Sequence, residues 1–186
     1  MGHPMRLTRE GSTLVVLDVQ ERLFAAMDAE HREEVVGNLK VLAVAARRLG
    51  LPIVVTEQYP KGLGHTLPEL REALGSVDPL EKVTFSCCDA EGFTARLKAA
   101  KTKQVILAGI EAHVCVLLTG LDLLAAGYSV HVAADAVTSR TQGNWRIGVD
   151  QLRQAGAVVT TTESVLFQLL GKADTDDFRT LAKLIK

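Results

Sequence analysis

The sequence predicts an α/β protein: six parallel strands in one sheet, with helices on both faces, in a three-layer α/β/α sandwich. Two patterns lead there. Short apolar runs rich in Val and Leu recur along the chain, bounded by Gly, Pro or polar residues, as strands buried on both faces do. Between them lie longer stretches in which apolar residues return every three or four positions, the period of a helix that packs by one face. Strands joined through helices of this length need crossover connections, which are right-handed and leave the strands parallel. A chain of 186 residues, 47% hydrophobic and 23% charged, suits one domain over 1–186 with a full core.

Taken in order, Thr13–Leu17 (TLVVL) follows Gly11-Ser12 as the first strand and ends at Asp18, on the carboxyl edge of the sheet. Asp18 reads either as a group on that edge or as a cap for the short helix Glu21–Met27. His31–Gly50 is a long amphipathic helix with Val35, Leu39, Leu42, Ala43, Ala46 and Leu49 on one face and Gly50 as its stop. Pro52–Thr56 is the second strand. Glu57–Leu70, with two prolines and two glycines, is a loop on the same edge with room for one turn of helix before Leu70; its Glu57, Gln58, Tyr59 and His65 read as pocket wall or as solvated loop residues. Leu80–Phe85 is a weaker strand with Lys82 inside it, ordinarily an edge or solvent-facing residue. If Lys82 points to the edge that carries Asp18, it supplies a cation there. Cys87 and Cys88 fall in a loop and read as structural or incidental. Ala90–Ala100 is a helix with Phe93, Leu97 and Ala100 inward.

Val105–Ala108 is a buried strand that ends at Gly109, and from Val114 helical spacing resumes through Leu117, Leu118, Leu121, Leu124 and Ala125. Ser129–Ala133 alternates as a strand that Asp135 closes. A helix over Asn144–Ala155, a last strand over Ala157–Thr160 and closing helices over Glu163–Leu170 and Asp176–Ile185 complete a doubly wound, Rossmann-like arrangement.

Cys115 stands on the first turn of the helix that leaves the carboxyl end of a strand. Open parallel sheets bind ligands at that end, and a helix amino terminus favours thiolate over thiol and offers unpaired N–H groups to an oxyanion. The pattern of this stretch fits a nucleophile and a small buried core residue equally well.

The remaining composition bounds function. A formal net charge of −1 leaves no basic footprint for nucleic acid or an anionic membrane. Three cysteines, Cys87, Cys88 and Cys115, fit neither a disulfide framework nor a zinc site and suit a reducing compartment. Met1–Glu10 has no apolar core followed by a cleavage site, and no stretch nears 18 uninterrupted apolar residues, so a soluble cytoplasmic protein without metal or cofactor is expected.

Five blocks in one order then resemble the isochorismatase-like cysteine hydrolases: LDVQ (17–20), TEQYPKGLGHTLPEL (56–70), EKVTFSC (81–87), GIEAHVCVLLTGLDLLAAGYSVHVAADAVTSR (109–140) and AGAVVTTTESVLFQLL (155–170). The likeness covers nearly the whole chain and is strongest to the isochorismatase-domain-containing proteins. It implies a triad of an aspartate ending the first strand, a lysine on the third and a cysteine opening the helix after the fourth, here Asp18, Lys82 and Cys115. It also implies a cis peptide at Ile110-Glu111, which would aim the Glu111 N–H at the same point as that of Cys115 to form an oxyanion hole. The metal-site spacing of the family's nicotinamidases is missing, since TEQYP stands in its place and His65 is alone. The isochorismatases that cleave a vinyl ether need no cysteine nucleophile, so a complete triad favours attack on a carbonyl.

The function so implied is cysteine-dependent cleavage of a C–N amide bond in a small neutral molecule through a thioester. Asp18 would act as base, Lys82 and the helix end would stabilise negative charge, and a low Cys115 pKa would follow from both of these against the opposing charge of Asp18. Pocket candidates are Gln20, Phe24, Gln58, Tyr59, Leu63, Phe85 and His113; the aromatic ones Phe24, Tyr59 and Phe85 point to a flat or apolar substrate, and each fits a place in the core equally well. His113 reads as wall or interface before base, because side chains two apart at a helix start diverge. Rival readings are hydrolysis of an ether, a low-turnover binding protein assembled through Val114–Leu118 and the 57–70 loop as a homo-oligomer, and redox chemistry at Cys115, which lacks a resolving cysteine nearby in sequence.

Overall fold

The computed structural model describes residue 3 and residues 5–185, so part of the Met1–Glu10 reading lies outside the described residues. In chain order the elements are β1 (Ser12–Leu17), α1 (Glu21–Ala25), α2 (Arg32–Leu49), β2 (Ile53–Gln58), α3 (Pro60–Leu63), α4 (Pro68–Leu74) and β3 (Leu80–Lys82). A 3-10 turn (Cys87–Asp89), α5 (Phe93–Ala99), β4 (Gln104–Ile110), α6 (Cys115–Ala125) and β5 (Ser129–Thr138) follow. The chain closes with α7 (Gln142–Gln154), β6 (Val158–Thr160), α8 (Thr162–Leu170), α9 (Asp176–Leu181) and a 3-10 turn over Ala182–Ile185. The six strands form one parallel sheet in the order β3-β2-β1-β4-β5-β6. The strand order reverses between β1 and β4, where such sheets open their ligand crevice.

Side-chain alternation divides the core in two. Leu14, Val16 and Val55 pack with Val35, Leu39 and Leu42 of α2, Leu70 and Leu74 of α4, and Val165 and Leu169 of α8. Val15, Leu17 and Val54 pack on the other face with Phe93 and Leu97 of α5, Cys115 and Val116 of α6, and Val149 and Leu152 of α7. The expected three-layer α/β/α architecture is present, and strands buried on both sides explain why the apolar runs do not alternate. At the centre β1 and β4 approach so closely that a Cβ on Gly109 (φ 117°) would lie 2.2 Å from the Leu17 carbonyl oxygen, so only glycine fits there.

Three stretches differ from expectation. The second strand runs two residues further, to Gln58, so Glu57 and Gln58 lie on the strand and the loop begins at Tyr59. Within that loop Pro60 and Pro68 open α3 and α4, a use of proline at a first helical turn that resembles loop composition in sequence. The strand over Ser129–Ala133 does not end at Asp135: it continues to Thr138, with its register against β4 shifting between Leu107 and Gly109. That irregularity breaks the period-two pattern. Asp135 instead accepts from the backbone N of Thr162 at 2.8 Å and holds the start of α8. The third strand is short, stopping at Lys82. Among the described residues, no helix is long and apolar enough to cross a membrane.

Candidate active site

β1, β2, β3 and α6 bring five side chains together at one end of the sheet. Alternation that sends Leu14 and Val16 toward α2 would send Asp18 there as well. Its φ of 55°, a left-handed conformation that costs a non-glycine residue on the order of 1–3 kcal/mol, turns it to the opposite face. Asp18 does not cap α1: the capping position is Gln20, which makes no side-chain cap. On β2, Thr56 and Gln58 share the face toward α6, and Lys82, register partner of Gln58, comes from β3 beside them. Cys115 opens α6, whose amino end carries no side-chain cap.

The distances define the group. Lys82 Nζ donates to Asp18 Oδ2 at 2.7 Å and lies 3.6 Å from Cys115 Sγ. It also reaches Gln58 Oε1 at 2.6 Å and the carbonyls of Thr84 at 3.1 Å and Phe85 at 3.4 Å. The Asp18 and Lys82 side chains are both fully buried. Their ion pair is surrounded by acceptors and donors, which is how a buried charge is tolerated. Thr56 Oγ1 donates to Asp18 Oδ1 at 2.7 Å. Cys87, which the sequence leaves without a role, lies against this group, its Sγ 3.8 Å from Thr56 Oγ1 and its backbone N on Thr119 Oγ1 of α6.

Burial pushes the Cys115 thiol up to about 12; the Asp18 charge and a hydrogen bond to it push the same way, and Lys82 pulls down. The resting group is therefore a thiol beside a carboxylate and an ammonium, and this corrects the expectation of a low Cys115 pKa. Lys82 does pull the thiol down as expected, but desolvation and the carboxylate outweigh it. Burial alone would lower Lys82, yet the Asp18 charge, and after it the charges that Cys115 and Cys87 carry when ionised, leave it raised. Cys87 is likewise pushed up to about 11 by burial and Asp18.

The Ile110-Glu111 peptide is cis. Among the described residues, the N–H groups of Glu111 and Cys115 donate to no protein acceptor, while the Glu111 carbonyl takes the N–H of Val114 and Val116. The Glu111 carboxylate, on a side chain 8% exposed, is held by Arg140 through Nε at 3.2 Å and its backbone N at 3.3 Å. Helix α7 seals the other side: a Cβ on Gly148 would lie 2.6 Å from the Ala112 carbonyl oxygen.

The pocket candidates divide. Gln20 is fully buried, and its amide is spent on the backbone, giving to the carbonyls of Gln58 (3.0 Å) and Gly64 (2.6 Å) and accepting from Gln58 N (2.7 Å). It fastens the 59–66 loop to the turn after β1 and presents no free group. Gln58 is likewise occupied by Lys82 and by the Val83 carbonyl. Phe24 does not join the site: it packs in the core under α2, because helical spacing from Gln20 points it that way. Tyr59 and Phe85 are more than half exposed, and Leu63 is half-buried. A cleft of about 400 Å³ runs along β3 from Tyr59 to Glu91, with Lys82 in its wall. The His113 ring bonds Ser139 Oγ at 3.0 Å and is no partner of Cys115. Glu57 and His65 pair with each other at 2.9 Å on the strand face opposite Thr56 and Gln58, so neither meets the Asp18, Lys82 and Cys115 group. Thr56 was missed, although the period of two in TEQ sets it beside Gln58. No cluster of three or more metal-ligating side chains occurs among the described residues.

Comparison with known proteins gives a consistent picture. The Isochorismatase domain family matches residues 12–164. Isochorismatase domain-containing protein 2 of Danio rerio is 41% identical over 181 residues, spanning 97% of this chain and 89% of that protein. Among solved structures, the MAR1 ribonuclease of Caenorhabditis elegans superposes with a TM-score of 0.90 at 43% identity, covering 97% of this chain and 92% of that one. YcaC of Escherichia coli, described as an octameric hydrolase of unknown specificity, gives 0.92 at 25% identity over 100% and 91%.

Proposed function

The chain belongs to the isochorismatase family of hydrolases, and from that premise we propose that it is a cysteine-dependent amidase acting on small neutral molecules. The observation that carries this reading is the convergence of Asp18, Lys82 and Cys115 at one buried point, with both polar partners of the thiol fixed by the protein. Lys82 meets four protein acceptors besides the sulfur, so its charge tunes the site and has no donor to spare for substrate.

In this mechanism Cys115 reacts from its thiol form. As Sγ bonds to the amide carbon, its proton passes to Asp18, and the carbonyl oxygen becomes an oxyanion held by the Glu111 and Cys115 N–H groups. Lys82 offsets the negative charge that appears on sulfur and then on substrate. Asp18 returns the proton to the leaving nitrogen as the C–N bond breaks, which leaves a thioester. Water then adds to the thioester, giving its proton to Asp18; the acid departs and the thiol is restored. Keeping the nucleophile neutral until substrate displaces water from the site avoids holding a bare thiolate next to a carboxylate.

Tyr59, Leu63, Phe85 and His113 form the substrate wall in this reading, with Gln20 and Gln58 behind it. The exposed Tyr59, Val83, Phe85 and Leu118 favour a homo-oligomer in which a second subunit covers the rim, in line with the octameric E. coli neighbour. Three free thiols favour a reducing, cytoplasmic setting. The ribonuclease name of the C. elegans neighbour makes RNA a control substrate; this chain has 21 cationic against 22 acidic side chains, a poor match for a polyanion. The test is a screen of small primary amides and ureas for ammonia release, with intact-mass detection of an acyl adduct. Turnover that vanishes in Cys115→Ala supports the reading, whereas amide turnover that survives in folded Cys115→Ala refutes it.

A further inference from the structure

We propose that Thr56 is a positioning residue that aims Asp18 as the base of this reaction; the inference rests on the amidase reading above. Asp18 is fully buried, so each of its oxygens must be served by the protein. Oδ2 has Lys82 Nζ. Oδ1 has the Thr56 hydroxyl, at 2.7 Å. Thr56 grips Asp18 twice, since its carbonyl also accepts the Asp18 N–H at 3.1 Å. Its backbone is fixed in the ladder opposite Leu17, and a β-branched side chain on a strand has few χ1 choices. The hydroxyl is therefore pre-aimed before substrate arrives.

Two effects follow for catalysis. The bond halts rotation of the carboxylate, keeping the second oxygen toward Lys82 and Cys115. It also stabilises the ionised form, in which Asp18 is able to take the thiol proton. The charged and titratable groups facing Asp18 are Lys82 from β3, Cys115 from α6 and Cys87 from the 3-10 turn. Lys82 alone among them is cationic, and among the described residues the Thr56 hydroxyl is the side-chain donor that serves Oδ1.

The experiment uses p-nitrophenyl acetate as an acylating probe of the full chain, following the nitrophenolate burst against pH in wild type, Thr56→Val and Thr56→Ser. Thr56→Val, isosteric but without the hydroxyl, is expected to lower the burst rate at neutral pH about tenfold and to move the acid limb of its profile upward by about one pH unit, the scale of one hydrogen bond to a charged group. Thr56→Ser should restore both. Wild-type rate and profile in a folded Thr56→Val overturn the inference, as does equal impairment in Val and Ser, which would mark Thr56 as packing. Should Thr56→Val fail to fold, Thr56→Ala removes the hydroxyl without adding a methyl to the polar pocket and is read the same way. A wild-type chain that gives no burst, or one unchanged in Cys115→Ala, overturns the amidase reading and this inference with it. A Cys115-dependent burst with a Thr56-independent profile overturns this inference alone.

Discussion

Replacing Asp18 by asparagine should make Cys115 more reactive toward a simple alkylating agent while abolishing turnover. In wild type the thiol is pushed up to about 12, so at pH 7 only about one site in 10⁵ holds a thiolate, against about one in 10² for an ordinary thiol near 9. Lys82 Nζ lies 2.7 Å from the carboxylate and 3.6 Å from the sulfur, which puts the two anionic groups within about 6 Å of each other. At that outer limit, and with an effective dielectric of about 20, removing the carboxylate charge relieves at least about 3 kcal/mol of repulsion against a thiolate, or about two pH units. Lys82 would then face the sulfur without a competing anion. Iodoacetamide labelling of the Cys115 peptide, resolved by mass spectrometry from those of Cys87 and Cys88, should accelerate about 100-fold at pH 7. An amide substrate or the acyl probe should react far more slowly, because the proton acceptor is gone. Unchanged or slower alkylation in folded Asp18→Asn would refute the reasoning: it would mean that the carboxylate does not hold the thiol protonated.

Lys82→Met should cost about 3–5 kcal/mol in denaturant unfolding, since it leaves the Asp18 carboxylate buried without its counter-ion; a loss under 1 kcal/mol would mean that water or another donor reaches the site. Alkaline pH should destabilise the wild type as well. Cys115 and Cys87 are raised when folded, so their full contribution is present below about 9 and is lost as pH climbs toward about 11 for Cys87 and 12 for Cys115. The double variant Cys87→Ala/Cys115→Ala should flatten that decline in thermal melts recorded from pH 8 to 11, and an equally steep decline would place the sensitivity elsewhere. Gln20→Ala removes three part-buried hydrogen bonds, each worth about 1 kcal/mol, and should expose the 59–66 loop to limited proteolysis well before global unfolding. Cleavage at the wild-type rate would show that the loop is held by other contacts.

The parts of this molecule legible in its sequence are those that periodicity and position encode. The five-residue run TLVVL, the helical face from Val35 to Leu49 and the Gly50 stop all describe local preferences that the packed sheet reinforces. The edge location of Asp18 and Cys115 follows from where their strands end. What escaped was set by contacts between elements. The continuation of β5 past Asp135 depends on a register shift against β4, which no period in β5 announces. Phe24 looks like a pocket aromatic by composition, yet the direction of a five-residue helix sends it into the α2 core. Gln20 and Thr56 are small polar residues in apolar surroundings, and only the partner atoms reveal that one fastens a loop and the other a carboxylate. The ionisation of Cys115 is the sharpest case. A helix amino terminus and a lysine both argue for a thiolate, and both are present, but burial and the Asp18 carboxylate that shares Lys82 with the sulfur weigh more. The sign of that balance depends on distances between β1, β3 and α6, and with it goes the choice between a pre-formed thiolate and a thiol whose proton leaves only as the new bond forms.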